Sequence, residues 1–232
     1  MIVNPAAFTV LCFGDSNTFG QPSEESGRWP ADVRWTGRLQ QFLGAGYAII
    51  EEGLGGRTTD LDDPDRDDRN GRNYFQPCLR SHSPLDMVVI MLGNNDLKTK
   101  FGRETDAVAA ALEGYIDNVE RTAWTRTGGV PAVLLVSPIH LDPDQPGFAE
   151  RSSEYDADSV RKSRELGAAI RRVASKRQAL FLDAATVACP GDDGTHLSRD
   201  SHERLATLIA QKIGAAGLTN MPDPYRPDGY TP

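Results

Sequence analysis

At 232 residues with an ordinary apolar fraction, the chain is long enough for one domain with a full core and needs no covalent staples. A net charge of −8 argues against nucleic acid and anionic membrane surfaces as partners. Three cysteines in no paired spacing, Cys12, Cys78 and Cys189, fit a reduced, cytoplasmic protein with no zinc pattern, and the sequence suggests neither a signal peptide nor a membrane-spanning run.

In chain order, Thr9 to Phe13 is β-branched, aliphatic or aromatic and reads as a buried strand. Gly14 ends it and leaves Asp15, Ser16 and Asn17 at its carboxyl end, where an open α/β sheet binds ligands. The same residues also suit a polar turn in which Asp15 or Ser16 caps a helix. A Gly-, Pro- and Glu-rich loop from Gly20 to Pro30 precedes a helix expected from Trp35 or Thr36 to Leu43. Ala48 to Glu51 reads as the second strand and runs into a glycine-rich turn, Gly53 to Thr59. Asp60 to Asn70 is an acidic loop, and a short helix is expected within Tyr74 to Ser83.

Asp86 to Leu92 is the clearest strand and ends at Gly93-Asn94-Asn95-Asp96. Helical spacing runs from Glu104 to about Thr127, with Gly128-Gly129 as the stop. Ala132 to Val136 is a strand, His140 to Ser153 is polar and irregular, and Asp156 to Arg177 is a helix capped by Asp156. Ala179 to Leu182 is a short strand, Asp192 to His196 a loop, and Ser198 the cap of a last helix to about Ala215. Gly217 to Pro232 carries four prolines and no periodicity, so a domain of residues 1–216 is followed by an extended or disordered arm, 217–232. Five apolar strands alternating with helices predict a three-layer α/β/α sandwich around a five-stranded parallel sheet of flavodoxin-like order 2-1-3-4-5. That order brings the loops after strands one, two and three together.

A serine nucleophile needs a base, and the base needs an orienting acceptor. Of four histidines, His196 stands three residues after Asp193 in a glycine-containing loop, a spacing that lets the carboxylate fold back onto Nδ1. His82, His140 and His202 read as surface or supporting residues. An oxyanion needs donors, and the Gly56 N–H, the Asn95 side chain and the Ser16 N–H are available at strand ends. Taken singly, each feature also suits an ordinary turn or a solvated loop.

Gly14-Asp15-Ser16, the turn from Gly53 to Thr58, Gly93-Asn94-Asn95-Asp96 and Asp193-Gly194-Thr195-His196 resemble, in order, the four motif blocks of SGNH (GDSL-type) hydrolases. Asp32 to Gly37, Glu51 to Leu54 with Arg57 to Thr59, Leu61 to Pro64, and Leu85-Asp86 with Met91 to Gly93 extend the resemblance to the bacterial arylesterase/acyltransferase branch. The resemblance implies Ser16 as nucleophile, His196 as base, Asp193 as its orienter, and Ser16, Gly56 and Asn95 as the oxyanion hole. It implies a small-molecule ester substrate, no cofactor or metal, and a homo-oligomer. The chain departs from the branch at Asn17-Thr18-Phe19, at Asn94 and at Ile139 to Asp142. Phe19, Trp29, Leu54, Asn94 and Ile139 are the expected substrate-contacting residues, with Asn17, His140 and Asp142 making the rim polar.

Short acyl groups and hydrolysis in preference to transfer to alcohols are therefore expected, with a carbohydrate acetylesterase as the alternative. Other readings fit less well. No Gly-Lys-Ser/Thr follows the glycine turn, which argues against a phosphate-binding loop. Placing Gly71 at the fixed glycine of a calcium loop puts Arg66 first and Pro77 last, where carboxylates are required.

Overall fold

The computed structural model describes residues 4–151 and 153–217. The expected arm falls almost wholly outside the described residues. Five strands, β1 (Phe8–Gly14), β2 (Tyr47–Gly53), β3 (Met87–Met91), β4 (Ala132–Ser137) and β5 (Leu180–Asp183), form one parallel sheet in the order β2-β1-β3-β4-β5. The predicted α/β sandwich and its strand order are therefore as observed.

Alternate residues of the central strands feed two cores. Leu11, Phe13, Val88, Ile90 and Leu135 pack with α3 (Gly71–His82), α4 (Thr105–Thr122) and α5 (Ala157–Arg177). Val10, Cys12, Val89, Leu134 and Val136 pack with Trp35 and Leu39 of α2 (Trp35–Leu43) and with Leu205, Ile209 and Ile213 of α6 (Arg199–Ala215). Burial on both faces is why these strands read as continuous apolar runs rather than alternating ones.

α5 begins with a capping box, in which Asp156 accepts the Ser159 N–H and the Ser159 hydroxyl returns to the Asp156 N–H. Ser198 takes the N-cap position of α6, but its hydroxyl pairs with that of Ser201 at 2.7 Å instead of capping the backbone. α3 starts earlier than the sequence suggests, at Gly71, because the Asn70 side chain accepts the Arg72 N–H. α4 stops earlier, at Thr122. Ala123 there turns extended, and the Trp124 carbonyl accepts the Leu85 N–H at 2.9 Å, so Gly128-Gly129 form a separate turn rather than the helix stop.

The carboxyl edge of the sheet is crossed at close range by one short helix, α1 (Ser16–Phe19). A Cβ on Gly53 would lie 2.1 Å from the Phe19 backbone nitrogen, and one on Gly14 would lie 2.0 Å from the Thr18 hydroxyl. Glycine at both strand ends is what lets this turn sit on the sheet.

Candidate active site

Asp15 leads into α1, its carboxylate accepting the Asn17 N–H at 2.9 Å, and so sets the turn that presents Ser16. The loop before α6 folds around Asp193. Its Oδ1 accepts the backbone N–H groups of Thr195 at 2.9 Å and His196 at 2.8 Å, and its Oδ2 lies 2.5 Å from His196 Nδ1. Because a carboxylate only accepts, Nδ1 carries the proton and Nε2 is left to accept. The Ser16 hydroxyl is 2.9 Å from that Nε2. The structure thus brings Ser16, His196 and Asp193 into one hydrogen-bonded series, with all three residues buried.

The two carboxyls of the site are shifted in opposite directions. Burial pushes Asp193 up, but the hydrogen bond and charge of His196 and the two loop N–H groups outweigh it, so the carboxyl lies well below the usual range. Burial raises Asp15 to about 6, against the Asn17 N–H and the charges of His196 and Arg57.

Ser16, Gly56, Asn94, Asn95 and His196 line one cavity of about 70 Å³. Gly56 has φ +79°, a left-handed conformation that calls for glycine, and the Arg66 guanidinium packs where a Cβ would stand. The Asn95 side-chain NH₂ rests on the Arg57 carbonyl at 3.1 Å and on Asp15 Oδ2 at 3.4 Å. Arg57 is itself buried, donates to the carbonyls of Gly14 and Glu52, and stacks 4.1 Å from the Phe13 ring centroid. Asp96 accepts from the Thr59 N–H and hydroxyl and from Arg103, which fixes the glycine turn against the end of β3.

Four expected substrate residues stand elsewhere. Phe19 lies beneath Arg28, whose guanidinium is 4.6 Å from the ring centroid, and Trp29 lies beneath Arg199 at 5.7 Å. The cause is the loop from Gly20, which folds back on the edge of β2 through Arg28 and Arg34 to Glu51. Leu54 lines a separate cavity with Tyr74 and Arg69. Ile139 is buried in the core beneath β4 and presents only its carbonyl, to Asn94.

Of the expected polar rim, Asn17 lines the cavity and also grips the His196 loop, whereas Asp142 pairs by its backbone N–H with the Gly194 carbonyl. His202, expected as a surface or supporting residue, is fully buried, with Nδ1 accepting the Trp35 N–H at 3.2 Å.

The sequence reading missed Arg66, Lys98, Arg151, Glu154 and Tyr155, which complete the cavity wall. A motif-based reading had no signal for them, because they lie in the acidic loop, after the third block and in the irregular stretch before α5. Among the described residues, Glu52, Cys78 and His82 place three donor atoms within 4.8 Å of one another, but His82 already pairs with Glu52 and none of the three lines the cavity.

A parallel sheet that carries hydroxyl, imidazole and carboxylate in series at its carboxyl edge defines the class of serine-dependent acyl hydrolases. The sequence model of the GDSL-like Lipase/Acylhydrolase family matches residues 12–208, and the chain belongs to that family. No curated protein sequence matches it significantly. Among solved structures it is similar to a carbohydrate acetylesterase from Sinorhizobium meliloti, at 38% identity and TM-score 0.83, over 90% of this chain and 99% of that one. The native M. smegmatis aryl esterase is similar at 37% identity and TM-score 0.83, over the same shares of the two chains. A second S. meliloti structure, of a carbohydrate acetylesterase family member, matches at 34% identity and TM-score 0.81, over 89% of this chain and 99% of that one. The chain is a carboxylic ester hydrolase.

Proposed function

We propose that the protein cleaves short-chain acyl esters through an acyl intermediate on Ser16. The observation that carries this reading is the continuous line from Ser16 Oγ to His196 Nε2 and from Nδ1 to Asp193, opening on a small cavity. His196 takes the serine proton as Oγ attacks the ester carbonyl and returns it to the departing alcohol. The N–H groups of Ser16, Gly56 and Asn95 receive the oxyanion, for which the Asn95 amide turns from its present partners. Water, deprotonated by the same His196, then releases the acid.

A fluorophosphonate should label Ser16 and abolish turnover of p-nitrophenyl acetate, with Ser16→Ala inert to both. Wild-type turnover by Ser16→Ala would end the proposal.

A second reading, deacetylation of carbohydrates, is favoured by the lining. Gln21, Asn94, Arg66, Lys98 and Glu154 surround the cavity, and Gln21, Arg151 and Glu154 also border a larger groove of about 790 Å³. Such walls suit a hydroxyl-rich leaving alcohol better than an aryl one. Relative kcat/KM on acetylated xylooligosaccharides and aryl acetates separates the readings. Homo-oligomerisation belongs to the same proposal and is read directly by light scattering.

A further inference from the structure

Arg151 ends the short turn Phe148–Arg151, in a stretch that carries none of the family motifs. Its Nη2 donates to Asp193 Oδ2 at 2.8 Å, the oxygen that also faces His196, and lies 3.4 Å from His196 Nδ1. Its Nη1 donates to Glu154 at 3.2 Å, and Glu154 in turn takes the Lys98 ammonium at 2.6 Å. Lys98 directly follows the turn that begins at Asn95. One charged chain therefore runs from the acid of the triad to the turn that carries an oxyanion donor.

We infer that Arg151 is a positioning residue for this reaction: it fixes the Asp193 carboxylate against His196 and offsets part of its charge. The inference rests on the proposed roles of Ser16, His196 and Asp193. A carboxylate beside Nδ1 holds the ring in place but also favours its protonated form, which is useless as a base. A guanidinium on the same carboxylate oxygen keeps the orientation and opposes that protonation. The groups that face His196 are Ser16, Asp193, Asp15 and Arg151, with His202 behind it on α6 and with Arg66, Lys98 and Glu154 lining the same cavity. Of these Arg151 is the cation set directly against the ring. Glu154 leaves it partly paired, and its side chain remains 29% exposed, which limits the size of the effect.

The experiment compares wild type, Arg151→Gln and Arg151→Lys on p-nitrophenyl acetate across the acid limb of kcat/KM. Arg151→Gln should lower kcat roughly tenfold with KM little changed, and should move the acid limb upward by about half a pH unit or more. Free guanidinium should restore part of the loss in Arg151→Gln, and Arg151→Lys should keep the limb near its wild-type place. An unmoved limb, or a kcat loss that neither guanidinium nor lysine relieves, overturns the inference. Fluorophosphonate labelling of wild-type Ser16 is run alongside. Failure there marks the esterase mechanism as wrong, whereas failure of the pH shift alone marks Arg151.

Discussion

Asn17 holds the backbone beside His196: its Oδ1 accepts the Leu197 N–H at 2.8 Å, and its Nδ2 reaches the Thr195 carbonyl at 3.4 Å. The residue after Ser16 thus clamps the loop on both sides of His196. Asn17→Ala leaves a buried N–H without its acceptor, at a cost of about 1–3 kcal/mol, and frees His196 to drift. A fall in kcat of roughly tenfold or more is expected with KM little affected, since proton transfer is sensitive to small displacements. Steady-state kinetics together with urea unfolding check both halves.

Asn95→Ala tests the side-chain oxyanion donor proposed above. By the behaviour of such donors generally, kcat should fall about a hundredfold or more. Labelling by a fluorophosphonate tests the same group, since its attack passes through a similarly charged centre, and an unaltered labelling rate would remove Asn95 from the oxyanion hole.

His202 supplies a pH-dependent term in stability. Burial, followed by the charge of His196, pushes it down from 6.5 to about 4. Between those values the unfolded chain binds a proton that the folded chain refuses, so this term loses stability as pH falls, by roughly 3 kcal/mol at most. Asp15 and Asp96, each raised by burial from 3.8 to about 6, act in the opposite direction, holding protons when folded that the unfolded chain releases. Comparison with His202→Gln cancels those carboxyls. The stability gap between wild type and variant should shift against the wild type between pH 7 and pH 4, and a constant gap in urea unfolding would contradict the assignment.

The narrow, polar cavity at Ser16 sets two expectations for substrate. Acetyl to butyryl esters should be turned over much faster than long-chain esters, and free acid should exceed transfer product when benzyl alcohol is added. A chain-length series of p-nitrophenyl esters with product analysis measures both. Asn17 and Asn94, expected at the rim, line that cavity, whereas the charge on its wall comes from Lys98, Arg66 and Glu154, which the sequence did not mark.

That difference marks how far the sequence was legible. Strand order and the Ser16, Asp193 and His196 cluster were readable because the strands are uninterrupted apolar runs and the loop spacings are local. Trp29 and Phe19 misled because aromatic residues near a glycine turn give no direction, and here the arginines Arg28 and Arg199 draw them aside. Ile139 misled because one residue past Pro138 the chain is still against the core. Arg151 carried no signal at all, since its role depends on a contact 42 residues away in sequence.

The hydroxyl and the imidazole that share a proton are 180 residues apart in the chain. Asn17 meets Leu197 across the same separation. During synthesis the serine therefore emerges long before its base exists, and no early segment can assemble the proton relay. The loop that carries His196 leads into α6, which packs with α2 in one core, so turnover through the proposed pair reports that the two ends of the fold have met.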